Sequence, residues 1–137
     1  MQNQKDRVVI DTNLWISFLL TKSSARLDNI IADSKTTLLL SHELIDEIVE
    51  VTQREKFRKY FPLDDVESFL IKIRNRAEFI KIQSIITDCR DPKDNFLLSL
   101  SIDGNATHLI TGDKDLLIMK VYRDTRILTM AEYVSRL

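Results

Sequence analysis

The chain has 137 residues, 44% of them hydrophobic, which fits one domain and excludes a disordered polymer. Lys plus Arg number 20 and Asp plus Glu 21, and the resulting net charge of −1 excludes a nucleic-acid coat held by bulk positive charge. Two Gly and two Pro disfavour a turn-rich all-β fold, and a lone cysteine with no Cys/His cluster excludes an internal disulfide and a zinc site.

Residues 7–10 form a short, β-branched, continuous apolar run, the pattern of a strand buried on both faces. Residues 14–20 turn helical, and 25–33 read as a second helix. Residues 36–40 are the second strand; Ser41 then caps a helix running to about Lys56. Pro62 opens a helix over 64–76, with Val66, Phe69, Leu70 and Ile73 at helical spacing. Residues 79–82 read as a third strand. Asp91 and Pro92 start a helix that ends before Gly104, with Pro at the first position and Gly past the end. A fourth strand at 107–111, a short helix at 113–119, a fifth strand at 126–128 and a closing helix at 130–136 complete the series. Strands alternating with helices predict an α/β fold: a central parallel sheet of about five strands, covered on both faces, in a single domain over 1–137.

Four acids stand just past four predicted strands. They are Asp11, Glu47 inside the helix after strand two, Asp94, and Asp113. In a parallel sheet these junctions share the carboxyl edge, so residues distant in sequence can converge there. Carboxylates in one cleft repel each other unless cations sit between them. The pattern therefore points to a divalent metal and to chemistry on a phosphate-bearing substrate. Helix capping alone accounts for Asp11, Asp91 and Asp113 taken singly. Glu47 is different: it lies three residues after Leu44 and four before Val51, at the border of its helix's apolar stripe. With Asn13, Asn95 and waters nearby, the donors are hard oxygens suited to Mg²⁺ or Mn²⁺. Thr12, Asn13 and Thr111 stand beside the acids as groups that can orient them.

The segments Val-Val-Ile-Asp-Thr-Asn at 8–13, Ser-x-x-Leu-x-x-Glu at 41–47, Asp-Pro-x-Asp-Asn at 91–95 and Leu-Ile-Thr-Gly-Asp-Lys-Asp-Leu-Leu at 109–117 resemble, in order and spacing, the four acidic motifs of the PIN domain. The resemblance is strongest to the VapC-like toxins of prokaryotic toxin–antitoxin pairs. It implies a three-layer α/β/α fold and Mg²⁺- or Mn²⁺-dependent cleavage of single-stranded RNA to a 5′-phosphate and a 3′-hydroxyl. It also implies an antitoxin partner, bound through an apolar groove between the early helices, and a homodimer. By position, Asp11, Glu47, Asp94 and Asp113 become the catalytic acids and metal ligands, with Asp115 a fifth ligand. Whether Asp91 or Asp94 faces the metal stays open.

For RNA contact, the run Arg54, Lys56 and Arg58 around Phe57 offers cations beside an aromatic ring, and Lys114 and Lys22 fall nearer the inferred cleft. Arg74 and Arg76 read as helix surface and Trp15 as core or a dimer contact. His42 and His108 read as surface or strand-flank groups, and Cys89 as an inert half-buried thiol. The polar start is unlike a signal peptide and no apolar run reaches the ~20 residues of a membrane span, so a cytoplasmic location is expected. Three alternatives compete with this reading. A haloacid-dehalogenase-type phosphatase would need an acid two residues after Asp11, where Asn13 stands. A non-catalytic PIN-like binding module would not need all four acids. A PIN-type RNA-maturation nuclease would share them.

Overall fold

The computed structural model describes residues 5–21, 29, 33 and 35–136. The expected helix over 25–33 and Lys22 fall largely or wholly outside them. The elements run β1 (Asp6–Ile10), α1 (Thr12–Thr21), β2 (Thr36–Leu40), α2 (His42–Thr52), α3 (Leu63–Arg74), β3 (Ala77–Phe79), a 3₁₀ turn (Pro92–Asp94), α4 (Asn95–Asp103), β4 (His108–Ile110), α5 (Lys114–Leu117), β5 (Val121–Tyr122), β6 (Thr125–Leu128) and α6 (Met130–Val134).

The described strands make one sheet in the order β3-β2-β1-β4-β6-β5. Every pairing is parallel except β5 against β6. The apolar runs explain the centre: Val8, Val9, Ile10, Leu38, Leu39, Leu40, Leu109 and Ile110 are all buried, as strands covered on both faces must be. The chain winds from β1 outward through β2 to β3, then returns to place β4 on the other side of β1. Right-handed crossovers in opposite directions put their helices on opposite faces, which gives the three layers. The reversal lies between β1 and β4. At such a switch point a crevice opens beyond the carboxyl ends of the two strands.

Several boundaries differ from the sequence reading, for local reasons. The third strand lies at Ala77–Phe79, earlier than 79–82. Ile80 N still donates to Leu40 O at 2.7 Å, but Asp103 then accepts from Gln83 N at 2.6 Å, Ser84 N at 2.9 Å and the Ser84 hydroxyl, drawing the chain off the sheet. The helix after β2 stops at Thr52, where the Gln53 side chain donates to Phe61 O at 2.9 Å and fixes a turn. The sheet has a sixth, antiparallel strand, β5, folded back on β6 by a tight hairpin. His108 is 5% exposed, buried at the start of β4 and not on the surface. Cys89 is 5% exposed, also more buried than expected, and burial pushes its thiol up. Trp15 is core, edge-on to Phe18 and Phe69. No described helix is long and apolar enough to cross a membrane.

Candidate active site

The site assembles at the switch point. Asp11 follows β1, and its N–H donates to Ile110 O at 3.0 Å, continuing the ladder with β4 one residue further. Its carbonyl accepts from Leu14 N and Trp15 N, so it also opens α1. The side chain is 6% exposed; Oδ1 accepts from Asn13 N at 3.3 Å and Oδ2 from Thr111 Oγ1 at 2.5 Å. Burial pushes this carboxyl above the usual range, the Thr111 and backbone hydrogen bonds oppose the rise, and the Asp113 charge adds to it.

Thr111 holds a second acid. Its Oγ1 accepts from Asp113 N at 3.0 Å while donating to Asp11. Asp113 in turn caps α5, with Oδ1 accepting from Asp115 N at 2.8 Å. Opposite it stands the 3₁₀ turn. Asp91 caps that turn through Lys93 N, at 3.1 Å, and Asp94 closes it. Carboxylate oxygens of Asp91, Asp94 and Asp113 lie within 4.8 Å of one another. Asp91 thus both caps the turn and lies in one cluster with Asp94 and Asp113.

Asp94 carries the electrostatic strain. Its carboxyl is pushed up to about 7, first by burial, then by contact with Asp113 and by the charges of Asp113, Asp11 and Asp91. Its Oδ2 is buried and has no hydrogen-bond partner. A buried carboxylate oxygen without a donor is costly, and crowded acids each resist ionisation. A hard divalent cation removes both penalties at once, so Asp94, Asp113 and Asp91, with Asp11 beside them, fit such an ion.

Glu47 reaches the same region by another route. It projects from α2, and the Thr12 hydroxyl donates to its Oε1, tying it to the residue that follows Asp11. Its carboxylate is not in the closest group of three, nor is that of Asp11. Asp115 is half-buried, its side chain 33% exposed, with Arg90 Nη1 at 3.9 Å. Asn13 and Lys114 are exposed at the first turns of α1 and α5. Asn95 Oδ1 is occupied by Cys89 N at 2.9 Å, which pins the approach to Asp91. The basic run stands past the far end of α2, and of the site acids only Glu47 has a resolved influence on it, adding to the rise that Glu50 causes in Arg54. α2 starts at the carboxyl edge and runs away from it, and Arg54 beyond its end is held by Glu50 through bonds of 2.9 and 2.8 Å. Lys56 lies 5.0 Å from the Phe57 ring centre, and Arg58 is exposed.

Arg90 is the group the sequence reading missed. Its side chain is 87% exposed, and among the described residues it is the only cation ion-paired with an acid of this site. The signal was its place directly before Asp91, on a segment tethered by Tyr122 Oη donating to Asp88.

Comparison with known proteins identifies the fold family. The family model of the PIN domain matches residues 7–115. The uncharacterized protein MJ1680 of Methanocaldococcus jannaschii is 28% identical over 123 residues, spanning 88% of this chain and 79% of that protein. Among solved structures, VapBC2 from Rickettsia felis, crystallised bound to a DNA fragment from their promoter, matches with a TM-score of 0.59. That match covers 88% of this chain and 96% of the other at 15% identity, a likeness of fold. With that match running from β1 into α5, over well more than half of its length, the chain belongs to the PIN-domain family.

Proposed function

We propose that this protein is a metal-dependent endoribonuclease, the toxin of a toxin–antitoxin pair, working in the cytoplasm as a single PIN domain. The observation that carries the nuclease reading is the crowding of Asp91, Asp94 and Asp113, with a buried Asp94 oxygen that no protein donor satisfies. The all-oxygen donor set suits Mg²⁺ or Mn²⁺. Such an ion supplies water activation at neutral pH and neutralisation of charge on a phosphodiester. Asp94, Asp113 and Asp91 would be the ligands in this reading, with Asp11 beside them and Asp115 and Glu47 at the margin.

The chain's own residues prepare that chemistry. Thr111 fixes the Asp11 carboxylate and the Asp113 backbone with one hydroxyl, so two acids far apart in sequence keep a set separation. A bound cation would screen the repulsion that keeps a proton on Asp94, so Asp94 would hold the ion as a carboxylate and lose its proton to solvent. Glu47, which accepts from the Thr12 hydroxyl, would hold a second ion or orient the attacking water. The toxin reading leans on the fold likeness to a VapBC complex, and it brings an antitoxin and a homodimer as partners.

The test is cleavage of labelled RNA by wild type, Asp11→Asn and Asp113→Asn with Mn²⁺, then with EDTA. Loss of cleavage in both variants and in EDTA, with circular dichroism unchanged, supports the mechanism. Full activity in EDTA, or in either variant, removes it. Growth arrest on expression, relieved by a co-expressed neighbouring gene, separates a toxin from an RNA-maturation nuclease.

A further inference from the structure

Most described arginines are already engaged. Arg7 and Arg54 are held by Glu78 and Glu50 through paired bonds, and Arg74, Arg123 and Arg136 lie over aromatic rings. Arg58, Arg76, Arg90 and Arg126 donate no hydrogen bond among the described residues. Their places in the fold separate them. Arg58 lies past the far end of α2, Arg76 stands directly before β3, and Arg126 is level with His108 at the start of β4. None of these three places is the carboxyl edge of the sheet. Of the four, only Arg90 adjoins the acids.

Its backbone is held there from both sides. Cys89 N donates to Asn95 Oδ1 at 2.9 Å, and the Asp91 carboxylate accepts from Lys93 N at 3.1 Å. Cys89 is buried, and the charges of Asp94, Asp113 and Asp115 reach its thiol. Asp91 itself belongs to the acid cluster. The residue between them is therefore fixed at the rim of the carboxylates. Its side chain is not. Arg90 Nη1 lies 3.9 Å from Asp115 Oδ1, too long for a hydrogen bond, and the guanidinium is open to solvent. An exposed pair at that distance contributes little to stability, so holding Asp115 does not account for the arrangement. A guanidinium carries its N–H donors in a planar fork that matches two phosphate oxygens, and here the fork has no protein acceptor among the described residues.

We propose that Arg90 is a catalytic residue of this site, its guanidinium donating to the non-bridging oxygens of the phosphodiester that is hydrolysed beside the acids; the inference rests on the nuclease reading above. In that step a water oxygen bonds to phosphorus and the bond from phosphorus to O3′ breaks, its electron pair staying on O3′. One water proton passes to solvent and O3′ takes one up, which leaves a 5′-phosphate and a 3′-hydroxyl. Negative charge on the non-bridging oxygens grows as water adds, and the fork stabilises that charge more than it stabilises bound substrate. Lys93 and Lys114 are exposed cations in the adjoining turns, but an ammonium is a point charge without the fork.

The experiment measures kcat and KM on a labelled oligoribonucleotide with Mn²⁺, and Mn²⁺ affinity by calorimetry, for wild type, Arg90→Ala, Arg90→Lys and Lys93→Ala. Arg90 makes no hydrogen bond, so its variants are expected to keep the wild-type thermal midpoint. For Arg90→Ala the expected kcat is about 100-fold lower with KM changed far less, the usual loss when one donor to developing charge is removed. Arg90→Lys recovers part of that loss, and Lys93→Ala keeps the wild-type kcat. Mn²⁺ binds Arg90→Ala at least as tightly as wild type, because the substitution removes a like charge near the acids. A wild-type kcat in Arg90→Ala overturns the proposal, as does a rise in KM alone. A weaker Mn²⁺ affinity that accounts for the lost rate would make Arg90 a support for the acids, and an equal loss in Lys93→Ala would make the effect one of general charge; either result defeats it. Wild type that never cuts RNA with Mn²⁺ defeats the nuclease reading and this proposal together, whereas active wild type with an indifferent Arg90→Ala defeats the proposal alone.

Discussion

Thr111 and Asp11 are separated by 100 residues, yet Oγ1 of the first donates to Oδ2 of the second at 2.5 Å. The same hydroxyl accepts from Asp113 N at 3.0 Å. One side chain therefore sets the spacing of two acids carried by neighbouring strands.

Thr111→Val keeps the β-branched shape and removes both bonds. Mn²⁺ affinity is expected to fall about 10- to 100-fold, the usual effect of losing a group that orients a ligand. The bond opposes the burial that raises the Asp11 carboxyl, so its loss raises that carboxyl further and moves the acid limb of the activity profile to higher pH. Calorimetric Mn²⁺ titration and a pH–rate profile read the two effects. Wild-type values in both would show that Thr111 only fills space.

Asp94 makes stability depend on pH in the metal-free protein. Its folded value, about 7, lies above the ordinary 3.8, so the folded state holds a proton that the unfolded chain releases. The associated stability is complete below about pH 4 and is lost as pH rises through about 7. Asp94→Asn removes that loss, and at pH 8 in EDTA it is expected to stabilise by about 1 kcal/mol, a figure reduced for solvent screening. Added Mn²⁺ reverses the effect for wild type, since it binds the ionised carboxylate. Thermal scans at several pH values, with EDTA or Mn²⁺, decide the matter; a pH-independent difference between the two proteins counts against it.

Gly104 is required by space. A Cβ there would lie 2.8 Å from Leu39 Cδ1, 3.0 Å from Leu100 O and 3.2 Å from Ile80 Cγ1. The carbonyl belongs to α4 and cannot swing aside, so Gly104→Ala is expected to cost ~1–3 kcal/mol by overpacking. Gly112 meets nothing within 4 Å, and Gly112→Ala is expected to be near neutral although it sits between Thr111 and Asp113. Urea midpoints separate the two. Equal midpoints would mean that the sheet shifts to admit the methyl group.

The sequence alone carried the strands and the acids. Val8-Val9-Ile10 and Leu38-Leu39-Leu40 are apolar without alternation, which only a strand buried on both faces requires, and the acids after them announce a carboxyl edge. The 3.6-residue period of α2 placed Glu47 at a border, and the structure ties it to Thr12 there. The β5–β6 hairpin was not legible, because Arg123 takes the left-handed position of its turn without the Gly or Asn that marks such turns. Nor was the shared role of Asp91, since capping and facing the cluster use the same carboxylate. Strand order, with its reversal between β1 and β4, was decided only by the tertiary structure. Local residues encode burial and period, but the nearness of Asp11 to Thr111 and Asp113 depends on which strands pair, and that is settled by the packing of the whole sheet.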